Sequence, residues 1–266
     1  MTVDMLKKSA KSLLKGYWVR SLTAVMLAVG VSSFASILIQ LVLTLTQTDF
    51  QSVVGQGLLY VGTILGVFLT APIHLGYNRI LWLKTVDETP SLIDVFYLFG
   101  NFKLLFKYLA LYVIKTLIIA IPAAVLTAPL FVLTMLGEEM SFDILSALES
   151  GSLASLVFSL GSILLVFAGI VLFVIQLVRY SVCDFVFIKH SNQSIWFILR
   201  TCSKTCVPRF KLIFSLYFSF AGWLLVAMTG IGQLYTTPYF SATLACAARQ
   251  FMAEDEYNAQ QEIRGE

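Results

Sequence analysis

The chain has 266 residues, of which 58% are apolar and 12% are charged, and its formal net charge is +3 at pH 7. Soluble globular domains carry about 25% charged residues, so this chain has too little polar surface to cover a water-exposed globule. The composition excludes an ordinary soluble enzyme, a disordered chain and a small disulfide-stapled domain. It also argues against nucleic-acid binding, because the basic residues are spread among apolar runs. The remaining class is an integral membrane protein, with the lipid bilayer as its first partner.

Five stretches of the sequence contain no Lys, Arg, Asp or Glu: 21–48, 50–78, 116–137, 150–178 and 212–248. A helix needs about 20 apolar residues to cross a hydrocarbon core of roughly 30 Å, so each of the first four stretches predicts one span. The fifth would be about 55 Å long as a single helix, which is too long for one modestly tilted span. We therefore divide it into two spans joined by a turn at Gly230 and Gly232, with Pro238 in the first turn of the last helix.

The fold class predicted from these stretches is an all-α polytopic membrane protein with a single integral membrane domain, 1–266. The six predicted transmembrane helices are 21–46, 53–78, 108–136, 151–178, 212–228 and 234–251. The other segments are a basic interfacial helix at 1–20, interfacial helices at 89–100 and 194–206, and a cytoplasmic tail at 252–266. The alternative is five spans, with the fifth apolar stretch forming one kinked helix.

Basic residues divide unevenly between the two sides of the predicted bundle. Sixteen of the 18 Lys and Arg lie before the first span or in and around the second and fourth connections, whereas the third connection carries four acids and no base. Basic connections tend to stay in the cytoplasm, so six spans predict a cytoplasmic N-terminus and a cytoplasmic C-terminus. The apolar stretch after Arg20 is longer than the core of a cleavable signal peptide, so the first span is expected to remain.

Three short segments with helical apolar spacing each precede a pair of predicted spans. They are marked by Leu6, Ala10 and Leu13, by Leu92, Val95, Phe96 and Phe99, and by Ile195, Ile198, Leu199 and Cys202. Ser194 stands before the third segment, where a helix N-cap is expected. Such amphipathic helices lie in the headgroup plane. The pattern predicts three repeats of an interfacial helix and a transmembrane hairpin, and the alternative is that membrane entry points are generally basic and aromatic.

Several local motifs follow one another along the chain. They are Leu6-Lys7-Lys8 with Trp18, Ala71-Pro72-Ile73-His74-Leu75-Gly76-Tyr77, Phe210-Lys211-Leu212-Ile213-Phe214, Phe218-Ser219-Phe220-Ala221-Gly222-Trp223, Gly230-Ile231-Gly232 and Pro238-Tyr239. Together these motifs resemble the DUF975 family of bacterial integral membrane proteins. The middle of the chain departs from the family pattern, since Ile121-Pro122 is followed by Ala123 rather than glycine. The resemblance implies a multi-pass protein of the bacterial cytoplasmic membrane, and it implies no activity.

The sequence contains few groups that could carry out chemistry. It has no nucleophile–base motif and no phosphate-cradling glycine loop, so we expect no enzyme activity, no catalytic residue and no cofactor. Cys202 and Cys206 stand one helical turn apart, but two ligands make a weak metal site, so no metal is expected and the cysteines are predicted to be reduced thiols. Arg179 and Asp184 are expected to mark the cytoplasmic interface rather than a buried pair.

Ionisable residues at membrane depth are functional candidates by default. Lys115 is the first of these, and His74 and Arg79, near the inner end of the second span, are further candidates for lining a cavity. The alternative for Lys115 is that its ammonium group reaches the interface along the flexible side chain. Gly62 and Gly66 have the spacing that lets helices approach closely in lipid, either within the bundle or in a dimer.

Two functions of different classes fit these features. The first is a non-catalytic membrane protein that associates with a membrane complex for export or envelope maintenance. The second is a permeation protein, or one that handles a lipid or another amphipathic molecule, with a cavity near Lys115. The expected partners are the bilayer and other membrane proteins or a transporter complex, and no nucleic acid.

Overall fold

The computed structural model describes residues 2–46, 52–136, 153–227 and 231–264. These residues are helical almost throughout and contain no strand, which confirms the predicted all-α class. The α-helices are α1 (Val3–Leu14), α2 (Trp18–Leu45), α3 (Val53–Thr85), α4 (Phe102–Leu136), α5 (Leu153–Arg179), α6 (Cys183–Lys189), α7 (Ile195–Cys206), α8 (Phe210–Ser219), α9 (Ala221–Ala227) and α10 (Ile231–Arg264). Two 3-10 helices, η1 (Leu92–Gly100) and η2 (Val207–Arg209), complete the order.

Three helical stretches in the described part of the chain are long and apolar enough to cross a membrane. They are Val54–Thr85, Phe102–Ala128 and Leu160–Lys189, and Trp18–Val31 is a shorter apolar helix. In a bilayer every backbone polar group must be satisfied within the segment, which a helix achieves. These stretches agree with a membrane protein, whereas the count of six spans stays a prediction.

The helices extend beyond the predicted spans at their basic ends. α2 begins at Trp18, α3 continues to Thr85 and α4 begins at Phe102. A stretch without charged residues marks only the part of a helix that lies in the hydrocarbon core of the membrane. The backbone hydrogen bonds of the helix continue into the membrane–water interface, so the helix is longer than the predicted span. The segment predicted as an interfacial helix at 89–100 is the 3-10 helix η1, which starts at a capping box of Ser91 and Asp94.

Contacts divide the chain into two compact units, 1–112 with 181–266, and 113–180. In the first unit α3 packs against α2, η1, α6 and α10, and α10 packs against α1 and α9. The largest fully buried side chains of this unit are aromatic, namely Tyr77, Tyr108, Phe185, Phe187 and Phe251. The first unit therefore has a true side-chain core at the basic ends of its helices.

The second unit contains the rest of α4 and the whole of α5. The two helices approach closely at Gly169 of α5, where an added Cβ atom would lie 3.0 Å from the Thr127 Cγ2 atom and 3.6 Å from the Ala123 carbonyl oxygen. A small residue at such a contact permits close packing in lipid.

The first helix, α1, is short and amphipathic. The Thr2 hydroxyl caps it by accepting a hydrogen bond from the Met5 amide, and its apolar face of Leu6, Ala10 and Leu14 is buried in a unit where α1 packs on α10. Gly16 then adopts a φ of +77°, which glycine tolerates without a Cβ clash. This residue lets the chain turn from α1 into α2.

The C-terminal region differs from the predicted pair of spans in two respects. The segment predicted at 212–228 is broken at Phe220 into α8 and α9, and α10 continues without interruption through the predicted tail to Arg264. Pro238 lies in the second turn of α10 rather than the first, because the helix already begins at Ile231. Gly230 lies outside the described residues.

Candidate functional site

A buried polar cluster lies between α3 and α6 in the first unit. The Asn78 side-chain amide donates a hydrogen bond of 3.2 Å to the Asp184 carboxylate and lies 3.4 Å from the His74 Nδ1 atom. The Asp184 side chain is 13% exposed, whereas that of His74 is 53% exposed. The Tyr108 side chain of α4 is also buried in this unit, and its hydroxyl oxygen has no hydrogen-bond partner among the described residues. The Asp184 carboxylate thus accepts a hydrogen bond from the neutral Asn78 amide inside the unit.

The geometry of this polar cluster favours a structural role. The His74 Nδ1 atom lies 3.9 Å from Asp184 Oδ2, which is longer than a hydrogen bond, so the imidazole is a neighbour of the carboxylate rather than its proton partner. A buried carboxylate costs free energy unless donors hold it, and the Asn78 amide provides that hydrogen bond. The main effect of the cluster is to tie α3 to α6.

Arg79 joins α3 to η1. Its guanidinium carbon lies 3.8 Å from the centroid of the Tyr97 ring, and its Nε atom is 3.7 Å from Asp94 Oδ1. One turn earlier, a Cβ atom at Gly76 would lie 1.9 Å from the Val95 carbonyl oxygen. The absent side chain at Gly76 lets η1 lie directly on α3, and Arg79 fastens the contact.

Lysines of α1 fasten that helix to the C-terminal helices. The Lys7 ammonium donates a hydrogen bond of 3.3 Å to the Ser219 carbonyl at the end of α8 and lies 4.7 Å from the centroid of the Phe220 ring. The Lys11 ammonium lies 5.8 Å from the Tyr239 ring centroid. These are cation–π distances, so two of the basic residues near the N-terminus contact aromatic side chains of the C-terminal helices.

Ion pairs connect α10 to the segments that precede it. Arg209 binds Glu254 at 3.0 Å and Asp255 at 2.8 Å, and these carboxylates raise the pKa of Arg209 although its partial burial opposes the charge. The Thr205 hydroxyl donates to Asp255 at 2.7 Å, and Lys189 pairs with Glu256. The C-terminal part of α10, predicted from sequence as a tail, is therefore held to α6, α7 and η2.

Thiols form a second buried cluster in the first unit. All four cysteines of the chain are free, as predicted, and all four are buried. Burial and the neighbouring thiols raise the pKa of Cys202, which donates to Cys206 and so lowers the pKa of Cys206. The Ser181 hydroxyl lies 3.9 Å from the Cys206 sulfur. In the described part of the chain no group of three or more His, Cys, Asp or Glu side chains is placed to hold a metal ion.

The remaining candidates from the sequence lie apart from the polar cluster. Lys115 is half-buried in α4, within the second unit. Gly62 is buried in α3, whereas an added Cβ atom at Gly66 would meet nothing within 4 Å. A Cβ atom at Gly232 would lie 2.0 Å from the Val226 carbonyl oxygen, so α9 and α10 touch at this glycine.

The structure assembles a contact that sequence reasoning missed. In the sequence, no Asp or Glu stands three or four positions from His74, and Asp184 is expected to mark the cytoplasmic interface. The chain brings Asp184 to Asn78 across 106 positions, and no local pattern encodes a contact of that separation. The signal available in sequence was the presence of an Asn and a His one turn apart at the end of an apolar run.

Comparison with known proteins identifies the family. A family model described as "Protein of unknown function (DUF975)" matches residues 1–250. The chain belongs to the DUF975 family. No curated protein and no solved structure matches it.

The DUF975 match covers most of the interactions described above. It includes the polar cluster, the contact of Arg79 with η1 and the docking of α1 through Lys7. It ends before Glu254 and Asp255, the carboxylates that bind Arg209. The packed core of the first unit is thus largely within the part of the chain that the family model describes.

Proposed function

We propose that this chain is a non-catalytic protein of the bacterial cytoplasmic membrane that acts by associating with other membrane proteins, in a complex for export or envelope maintenance. The proposal is carried by an uncovered small-residue position on α3.

The α3 helix presents an apolar surface that the described part of the chain does not cover at Gly66. One helical turn from this open position, on the same face of α3, the Leu69 side chain is 43% exposed. Lipid chains cover protruding side chains well. The gap left by the missing side chain of Gly66, which we call the notch, instead fits the backbone of another helix, since small residues permit close approach in the membrane. The notch therefore favours a partner helix over lipid alone.

The proposed topology has six spans in three repeats, with both termini on the cytoplasmic side. Three short helices support the repeat, because α1, η1 and α7 each begin at a hydroxyl cap, namely Thr2, Ser91 and Ser194. The close contact of Gly232 with Val226 favours a reversal between the last two spans. The basic connections would then face the cytoplasm.

The test is co-purification in a mild detergent after cross-linking in the membrane, with the native chain, Gly66→Leu and Ile64→Leu compared. Gly66→Leu fills the notch, and Ile64→Leu is a control that keeps an apolar side chain on the face of α3 away from it. We expect a membrane protein to co-purify with the native chain and with Ile64→Leu, and to be lost with Gly66→Leu. Recovery that is equal in all three, no membrane partner at all, or a second copy of this chain as the cross-linked species would each contradict the proposal.

A further inference from the structure

A basic cavity opens between α1, the end of α3 and α10 in the first unit. Its volume is about 540 Å³. Lys15 from the end of α1, Lys84 from the last turn of α3 and Arg249 from α10 line it, and Asp87 and Gln250 are among the other lining residues. We use the name basic cavity for this space. Three cations from three separate helical segments therefore converge against one carboxylate.

Among the described residues, no direct ion pair neutralises the cations of the basic cavity. In the described part of the chain no carboxylate oxygen lies within 4 Å of Lys15, Lys84 or Arg249, whereas Lys189 and Arg209 elsewhere have such partners. The Lys84 ammonium lies 5.8 Å from the Tyr17 ring centroid, which leaves it able to bind a ligand. Placing three cations close together costs free energy because like charges repel. A bound anion would offset this repulsion and stabilise the folded protein.

Helix ends give an alternative reason for lysines at these positions, because cations near a helix C-terminus complement its dipole. Two observations weigh against this explanation. The last carbonyls of α3 already accept backbone hydrogen bonds, since the Val86 and Glu88 amides donate to Leu83 and the Asp87 amide donates to Lys84. Arg249 lies in the middle of α10, where there is no helix end to complement.

We propose that the basic cavity binds a phosphate group, with an anionic lipid headgroup or free inorganic phosphate as its source. Phosphate oxygens accept charge-assisted hydrogen bonds from ammonium and guanidinium groups, and the Gln250 amide supplies neutral donors in the lining. Basic pockets at the ends of membrane helices suit lipid headgroups, and Lys15, Lys84 and Arg249 form such a pocket here. This site is independent of the notch at Gly66.

The binding test uses the full chain purified in a neutral detergent. Dihexanoyl phosphatidic acid, dihexanoyl phosphatidylcholine and inorganic phosphate are titrated separately, and binding is followed by native mass spectrometry and by the thermal unfolding midpoint. Phosphatidic acid is expected to bind saturably and to raise the midpoint, and phosphatidylcholine is expected to bind far more weakly. Binding of inorganic phosphate as well assigns the site to the phosphate group itself. Binding of phosphatidic acid without inorganic phosphate assigns it to a lipid headgroup.

Variants connect the binding to the basic cavity. Lys84→Gln and Arg249→Gln should each weaken binding about five-fold, as expected for one cation near an anionic lipid. Asp87→Asn should strengthen it several-fold, and this change is well matched because Asp87 has a φ of +62°, which asparagine also tolerates. Lys8→Gln and Lys103→Gln remove exposed cations outside the lining and should leave binding unchanged.

The unfolding midpoint without ligand shows whether each variant is folded. Because Asp87→Asn is expected to improve binding, a misfolded protein cannot imitate the predicted result. Equal affinity in the native chain and the Lys84 and Arg249 variants would overturn the proposal. An equal loss with Lys8→Gln would also overturn it, since it would indicate general surface attraction rather than a site.

Discussion

At the scale of single residues, Gly76 provides a sharp test of how α3 holds η1. A Cβ atom there would lie 1.9 Å from the Val95 carbonyl oxygen, whereas a Cβ atom at Gly66 of the same helix would meet nothing within 4 Å. We expect Gly76→Ala to lower the free energy of unfolding by about 1–3 kcal/mol through overpacking. Gly66→Ala should be neutral or stabilise by up to about 1 kcal/mol, because alanine has the better helix propensity.

The measurement is the thermal unfolding midpoint of the two alanine variants in the same detergent. Both changes add one methyl group to an apolar helix, so their general effects on helix formation cancel in the comparison. Equal midpoints for Gly76→Ala and Gly66→Ala would show that η1 does not lie on α3 as described.

Lys115 is the second residue that calls for a direct test. We expect Lys115→Met to leave the abundance and the unfolding midpoint of the membrane-inserted protein nearly unchanged, because a lysine that reaches the interface loses little when its charge is removed. Lys103→Met, which replaces an exposed lysine near the start of α4, is the control. A clear loss of stability or abundance with Lys115→Met alone would favour a buried charge and the hypothesis of a cavity near it.

At the scale of elements, α1 is held to the break between α8 and α9 by one lysine. The Ser219 carbonyl is at the end of α8, where helix carbonyls lack a partner within the helix, and the Lys7 ammonium provides that partner. Lys7→Met should therefore cost about 1 kcal/mol, from the lost hydrogen bond and the lost contact with the Phe220 ring. Lys8→Met, at the exposed neighbouring position, should have little effect on the unfolding midpoint.

A result in which Lys7→Met and Lys8→Met shift the unfolding midpoint equally would contradict this account. Such a result would mean that α1 is held by its apolar face of Leu6, Ala10 and Leu14 alone. That face is fully buried, so α1 should remain docked in either case.

The contact between α9 and α10 depends on Gly232 in the same way. We expect Gly232→Val to cost about 3 kcal/mol, since the added Cβ atom would overlap the Val226 carbonyl oxygen at 2.0 Å and neither backbone can yield cheaply. Gly222→Val in α9 is the control, because nothing lies within 4 Å of a Cβ atom there. The amount of folded protein recovered from membranes measures both, and equal recovery would refute the close approach of the two helices.

Local features of these elements were predictable from sequence, and contacts between distant segments were not. Ser194 was predicted as an N-cap, and its hydroxyl accepts a hydrogen bond of 3.2 Å from the Phe197 amide, because capping depends on residues three positions apart. The break at Phe220 was not predicted, since it interrupts a run with no change in hydropathy. The hydrogen bond from Asn78 to Asp184 was also missed, because it depends on how α3 and α6 pack and not on either segment alone.

At the scale of the whole molecule, the chain places its two proposed binding features on different parts of one helix. The notch at Gly66 lies in the apolar middle of α3, and Lys84 of the basic cavity lies in its last turn. An apolar notch selects a helix in the membrane, and a cluster of cations selects an anion at its surface. The two proposals can therefore be tested separately. Gly66→Leu should not change the binding of phosphatidic acid, and Lys84→Gln should not change the co-purification of a partner protein.

The topology of the whole chain is the last prediction, and it depends on the reversal between α9 and α10. If the chain turns at the outer surface there, a cysteine introduced as Ile231→Cys should react with a membrane-impermeant thiol reagent in whole cells. Tyr257→Cys, at a position that is 60% exposed in α10, should react only after the cells are made permeable. The asymmetry of the basic residues favours this result, since six spans would keep the basic connections in the cytoplasm.

The experiment requires a background without the native cysteines, which are buried, and the unfolding midpoint of that background shows whether their removal is tolerated. Lys8→Cys in the exposed part of α1 serves as the cytoplasmic control, because it should behave like Tyr257→Cys with six spans. With five spans Tyr257→Cys would react from outside and Ile231→Cys would be protected, while Lys8→Cys would stay unreactive. That pattern would require α10 to continue from α9 across the membrane, which the close approach of Gly232 to the Val226 carbonyl opposes, because residues six apart in a straight helix are separated by about 9 Å along its axis.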